Sequence, residues 1–126
     1  MSARQRSPML SMPFDQRLTA LHDILRHIDL AEQFVAELDR AAFLEDMRTV
    51  YAVTRCLEII SEASRRLPDE LKARHPSIPW RQMAGAGNVY RHDYEDVAAQ
   101  LVWETVRLAL PPLRSVTEQE IGATGR

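Results

Sequence analysis

A chain of 126 residues with 45% apolar content suits one globular domain with a single core. Sixteen basic residues against eighteen acidic ones leave a net charge of -2, which argues against a protein that coats nucleic acid. No apolar run approaches the roughly 20 residues needed to cross a bilayer, the opening MSARQRSPMLSMPF lacks an apolar signal centre, and the lone Cys56 has no second thiol to pair with. A cytosolic protein with no membrane contact and a small buried thiol is the expectation.

The first element runs from Asp15 to Asp39, where Leu18, Leu21, Leu25, Ile28, Ala31, Val35 and Leu38 recur at steps of three and four. That is the spacing of one apolar helical stripe. A second stripe starts near Phe43 and passes through Met47, Val50, Val53, Thr54, Leu57, Ile60, Ser64 and Leu67 until Pro68 removes a backbone donor. The short joint LDRAA between them predicts an antiparallel helical hairpin. PDELKARHPSIPW reads as a short helical turn closed by Pro76 and Pro79, each of which pushes the residue before it out of helical geometry.

A third long helix is expected from about Trp80 to Arg91. A fourth is expected from about Val97 to Leu110, stopped by Pro111 and Pro112. The first dozen residues and the tail after about Glu118 show no periodicity and are expected to fray. No segment alternates as a strand does. The expected fold is therefore all-α, an antiparallel bundle of four to five helices in one domain over residues 1–126, with a core from about 15 to 113.

Chemistry concentrates in GAGNVYRHDYEDV, Gly85 to Val97. On a helix, Asn88 and His92 lie four apart and share a face, with Tyr94 at or just past its end. Histidine can take and give a proton near neutral pH, while asparagine and tyrosine can orient a phosphate. The same residues would also suit a capping cluster on the free carbonyls of a helix end. Just upstream, Arg65 to Arg91 holds six basic residues (Arg65, Arg66, Lys72, Arg74, Arg81, Arg91) against two acidic ones, a local patch able to meet phosphates.

Other groupings carry less. His22 and His27 are five apart, about 140 degrees around the helix, and do not form a metal-chelating pair. Glu58 and Glu62 share a face, but Arg55, Arg65 and Arg66 lie within a turn and offer ion pairs; Glu62 is the better candidate for a supporting role. No Gly-rich phosphate loop, paired-cysteine motif or Ser-His-Asp arrangement is present.

Three stretches, RCLEIISEASRRLPDEL, IPWRQMAGAGNVYRHDYEDV and VWETVRLALPPL, in that order and spacing, resemble the HepT-like toxins of the HEPN superfamily over roughly Leu18 to Leu113. The resemblance implies a dimeric helical bundle and a metal-independent endoribonuclease with no cofactor. It also implies a homodimer in which two copies of the motif share a cleft, an RNA substrate, and a small nucleotidyltransferase as cognate antitoxin. On the family pattern, His92 assists attack of a ribose 2′-hydroxyl on the adjoining phosphate and Asn88 maps to the polar residue after the arginine; Asn88, with Arg91 beside His92, would hold phosphate, and Asp93 and Glu62 are supporting candidates outside that pattern. Tyr94 maps to the acceptor of AMP groups transferred by the antitoxin, and bulky anionic AMP there would keep RNA out. Arg65, Arg66, Lys72, Arg74 and Arg81 would guide the RNA.

One position departs from the pattern. Gly87 stands where the family has an arginine that would stabilise charge on the phosphate in the transition state. Loss of one such donor costs on the order of 10²- to 10³-fold in rate. Three accounts stay open: an inactivating replacement, a member that has lost cleavage and kept binding, or Arg91 acting in the arginine's place. The competing function class is accordingly a non-catalytic HEPN protein that dimerises and binds the nucleotidyltransferase.

Overall fold

Steps of three and four between apolar residues become a 23-residue helix, α1, Pro13–Val35. In the computed structural model its buried face is Ala20, Leu21, Ile24, Ile28 and Ala31, with Leu18 and Leu25 only half-buried. The stripe is thus turned slightly from the expected one. The structure describes residues 13–85 and 95–124, and no strand occurs among them, as expected of an all-α bundle.

The joint after α1 is more structured than its length suggests. Asp39 caps a one-and-a-half-turn helix, α2 (Arg40–Glu45), by accepting a 2.8 Å hydrogen bond from the Ala42 N–H. That extra turn drives Phe43 into the core, fully buried and 5.2 Å from the Trp103 ring centroid. Asp46 then caps α3 (Met47–Ser64), one carboxylate oxygen on the Thr49 N–H at 3.2 Å and the other on its hydroxyl at 2.9 Å. These bonds, the backbone one foremost, hold the Asp46 carboxyl below its ordinary value.

α3 packs along α1 and buries Val50, Val53, Cys56, Leu57, Ile60 and Ala63. Arg66 pairs with Asp23 at 2.9 Å, while Glu70, further along the chain, pairs with Arg17, earlier in it. Partners that move in opposite senses mark the expected antiparallel hairpin. Cys56 is buried, and desolvation raises its thiol pKa, which makes it an inert core residue.

Past Pro68 a single turn, α4 (Asp69–Ala73), pins itself through fully buried Leu71. The chain turns through Pro76 and Pro79 into helical residues 80–85, α5. The Trp80 indole N–H donates to the Lys72 and His75 carbonyls at 3.1 and 3.0 Å, tying the start of α5 to the loop before it.

The last helix corrects the sequence expectation. From α6 (Glu95–Glu104) the chain passes through a π-helical turn, Thr105–Ala109, into α7 (Leu110–Thr124) instead of stopping at Pro111. Pro111 and Pro112 lack N–H groups and crowd the preceding turn. The wider turn accommodates them: the Leu110 N–H bonds the Thr105 carbonyl five residues back, and the Thr105 hydroxyl donates to the Leu101 carbonyl at 2.8 Å. Beyond the prolines α7 buries Leu110, Leu113, Thr117 and Glu120, so packing continues past residue 113 and the helix persists beyond Glu118 to Thr124.

α7 adds polar contacts to this apolar packing. Arg114 bonds Asp29 at 2.5 Å and Glu32 at 2.6 Å on α1, and reaches Glu118 on its own helix at 3.5 Å. Glu120, 5% exposed, receives Arg74 at 2.8 Å and lies 2.6 Å from the His75 ring. None of the described helices is long and apolar enough to cross a membrane.

Candidate active site

Gly87, Asn88, Arg91, His92, Asp93 and Tyr94 lie outside the described residues. What the structure describes is the frame on either side of them, with α5 leading in and α6 leading out. α5 is anchored near its end by the last turn of α3. The Ser61 hydroxyl donates to the Ala84 carbonyl at 3.0 Å, and Arg65 Nη1 donates to the same oxygen at 2.5 Å and to Ser61 Oγ at 3.4 Å. Ser64 is buried and donates to the Ser61 carbonyl at 2.7 Å, which steadies that turn from within. Gly85 follows directly; it is exposed, and a Cβ there would meet nothing within 4 Å, so packing among the described residues does not demand a glycine.

The expected basic patch divides into paired and unpaired charges. Arg66 is shared by Asp23 and Glu62, at 2.9 and 3.2 Å, and Arg74 is committed to Glu120. Arg65, Lys72 and Arg81 form no ion pair among the described residues. Arg65 departs from the sequence expectation of a carboxylate partner: it bonds two neutral oxygens instead. Glu62 is exposed and tied to Arg66, and Glu58 to Arg55 at 3.3 Å, which are the ion pairs that the helix spacing offers.

Between α3, α5 and the π-helical turn lies an apolar groove of about 240 Å³, lined by Leu57, Ile60, Met83, Leu101, Thr105 and Leu110. Among the described residues its lining is largely apolar and offers little to a phosphate. Among the described residues no three His, Cys, Asp or Glu side chains gather as metal ligands would.

This frame can be set beside known proteins. Residues 24–120 match the family model described as ribonuclease HepT-like, a span that runs from Ile24 on α1 to Glu120 on α7. The chain belongs to the ribonuclease HepT-like family. A "Probable ribonuclease HepT" of Thermococcus cleftensis is 41% identical over 99 residues, covering 79% of this chain and 90% of that protein. An RNase candidate of Methanocaldococcus jannaschii is 34% identical over 101 residues, 80% of this chain and 87% of its own. Another, from Caldanaerobacter subterraneus subsp. tengcongensis, is 30% identical over 99 residues, 79% and 88% of the two chains. No solved structure gives a significant match.

The HepT-like match extends past Pro111, in agreement with the continuous α6–α7 helix. Ser61, Arg114 and Glu120 are frame residues that sequence reasoning missed. A signal for the last existed: Leu110, Leu113, Thr117 and Glu120 keep helical steps, but two of the four are polar and hide the stripe from an apolar count.

Proposed function

We propose that this HepT-like chain is the toxin of a toxin-antitoxin module and cleaves RNA without a metal. In this reading His92 takes the proton from a ribose 2′-hydroxyl as its oxygen attacks the adjoining phosphorus, and a proton is returned to the departing 5′-oxygen. Asn88 and Arg91 hold the phosphate, Asp93 and Glu62 support them, and Arg65, Lys72 and Arg81 draw RNA toward the site. Arg66 and Arg74 contribute less to RNA binding than their number in the patch suggests, because carboxylates already neutralise them. The protein works as a homodimer, and a small nucleotidyltransferase antitoxin silences it by binding and by AMP transfer to Tyr94.

The observation that carries this reading is the family match over residues 24–120, a span that includes the Asn88, His92 and Tyr94 pattern. The second reading, a non-catalytic binding protein, is favoured by one specific residue, Gly87 in the arginine's place. Cleavage of labelled RNA in EDTA separates the two. The ribonuclease reading expects cutting by the chain, faster cutting by Gly87→Arg, and none when His92→Ala is added to either. If neither the chain nor Gly87→Arg cuts any RNA tried, while both bind a nucleotidyltransferase, the binding reading replaces it.

A further inference from the structure

The turn from Lys72 to His75, at the end of α4, is gripped from two sides. On one side the Glu120 carboxylate of α7 takes the Arg74 fork, Nη2 at 2.8 Å and Nε at 3.2 Å, and lies 2.6 Å from His75 Nε2. On the other side the Trp80 indole N–H, at the start of α5, is shared between the Lys72 and His75 carbonyls at 3.1 and 3.0 Å. We propose that this turn couples the two helices: the end of α7 is a strap, and its release from Arg74 and His75 frees Trp80 and loosens the start of α5. The proposal is independent of the ribonuclease reading, because it needs no chemistry at His92.

Three observations carry it. The first is burial. Glu120 is 5% exposed and the His75 side chain 10%, so neither can trade its partner for water unless α7 moves. The second is shared backbone. The His75 N–H closes the turn on the Lys72 carbonyl at 3.1 Å, the same oxygen that receives the indole. Two consecutive side chains fastened to one carboxylate fix the peptide between them, and so aim the carbonyls on which Trp80 depends.

The third is what else holds the stretch. Leu71 and Ile78 are buried and pin its two ends, but residues 72–77 between them bury no apolar side chain. Glu120 and Trp80 therefore supply the side-chain contacts that set this turn, and losing one turns the segment without unfolding it. Such coupling is reciprocal: a partner that draws α7 away loosens α5, and one that steadies Trp80 holds α7 down.

The test follows hydrogen exchange by NMR in the full chain, Glu120→Gln, Trp80→Phe and the double variant, with the Val53 and Leu57 amides of α3 as the reference for global unfolding. Glu120→Gln should speed exchange of the Trp80 indole N–H by about tenfold or more beyond any change at α3, the weight of a hydrogen bond to a charged group. Trp80→Phe should in turn speed the Thr117 to Ile121 amides beyond the α3 reference, and the double variant should lose less stability than the two single losses added together. His75→Gln, whose amide N–H can still reach Glu120, should leave the indole protected, while His75→Ala should not.

If Glu120→Gln frees the α7 amides but the indole keeps pace with α3, the two grips are separate and the proposal is overturned. Equal acceleration at every site would overturn it as well, since the loss is then global. Additive losses in the double variant would do the same. Should Glu120→Gln not fold, Trp80→Phe decides alone: α7 amides that stay at the α3 rate would overturn the strap.

Discussion

The α1–α3 hairpin and the α7 helix sit on the same core but are attached by different physics. The hairpin meets through apolar faces: Leu21, Ile24 and Ile28 of α1 and Val53, Leu57 and Ile60 of α3 are all buried, with ion pairs such as Arg66–Asp23 only at the rim. α7 contributes Leu110 and Leu113 to that core. Past them Val116 and Ile121 pack partly buried against the core, and the polar fastening comes from Arg114 on Asp29 and Glu32 and from Glu120 beneath Arg74 and His75. Apolar contacts are indifferent to pH and to partner identity. A buried carboxylate depends on both, so the two attachments should fail under different conditions.

The largest expected effect lies on the apolar side. Phe43→Ala would open a cavity beside Trp103 and should lower stability by about 3 to 5 kcal/mol, read as a drop in urea midpoint at constant slope. A slope change along with it would mean that α2 had detached, and that the cavity was not the whole effect.

On the polar side, Glu120→Gln leaves the Arg74 and His75 contacts without their charge and should cost about 1 to 3 kcal/mol near neutral pH. The comparison sharpens with acid. Hydrogen bonds from Arg74 and then His75 hold the Glu120 carboxyl below its ordinary value of 4.5, against the opposing effect of burial. Its folded-state pKa is depressed, so its contribution is whole above the unfolded value and is lost as pH falls through the folded one. Urea midpoints from about pH 6 down to about pH 3 should therefore fall more steeply for the full chain than for Glu120→Gln. Equal slopes would show that the carboxylate does not carry the acid sensitivity of this attachment.

Smaller effects mark where neither kind of attachment acts. Asp39→Ala removes the cap of α2 and should cost about 1 kcal/mol, with Asp39→Asn nearly neutral because the amide oxygen still caps. Arg55→Ala breaks an exposed pair with Glu58 and should change the midpoint by less than about 0.5 kcal/mol. A larger loss at Arg55 would place unrecognised packing on that face of α3.

The hairpin was legible in the sequence because its stripes are apolar and its helices are long; periodicity of that kind is a local property that burial then obeys. Legibility fell off where a polar residue was buried or a single turn intervened. α2 escaped notice because six residues are too few to establish a period, although Asp39 is itself a residue type favoured at helix N-caps. At the candidate site the chemistry-bearing residues stand out by type alone, as His92, Tyr94 and Asn88 do. Their support does not: nothing about Ser61 or Arg65 in the sequence says that both meet the Ala84 carbonyl, 23 and 19 residues away.

By itself the sequence determined that the chain is helical, which faces of α1 and α3 are apolar, that they fold back on each other, and that the chain is HepT-like. Only the tertiary structure decided that Pro111 and Pro112 widen a helix where they were expected to end it, that Glu120 is buried, and that Arg65 serves a carbonyl while Arg66 serves carboxylates. The reason is the range of the forces involved. An apolar stripe is written at steps of three and four, but the partner of a buried charge is supplied by another part of the chain, as Arg74 is to Glu120 across 46 residues.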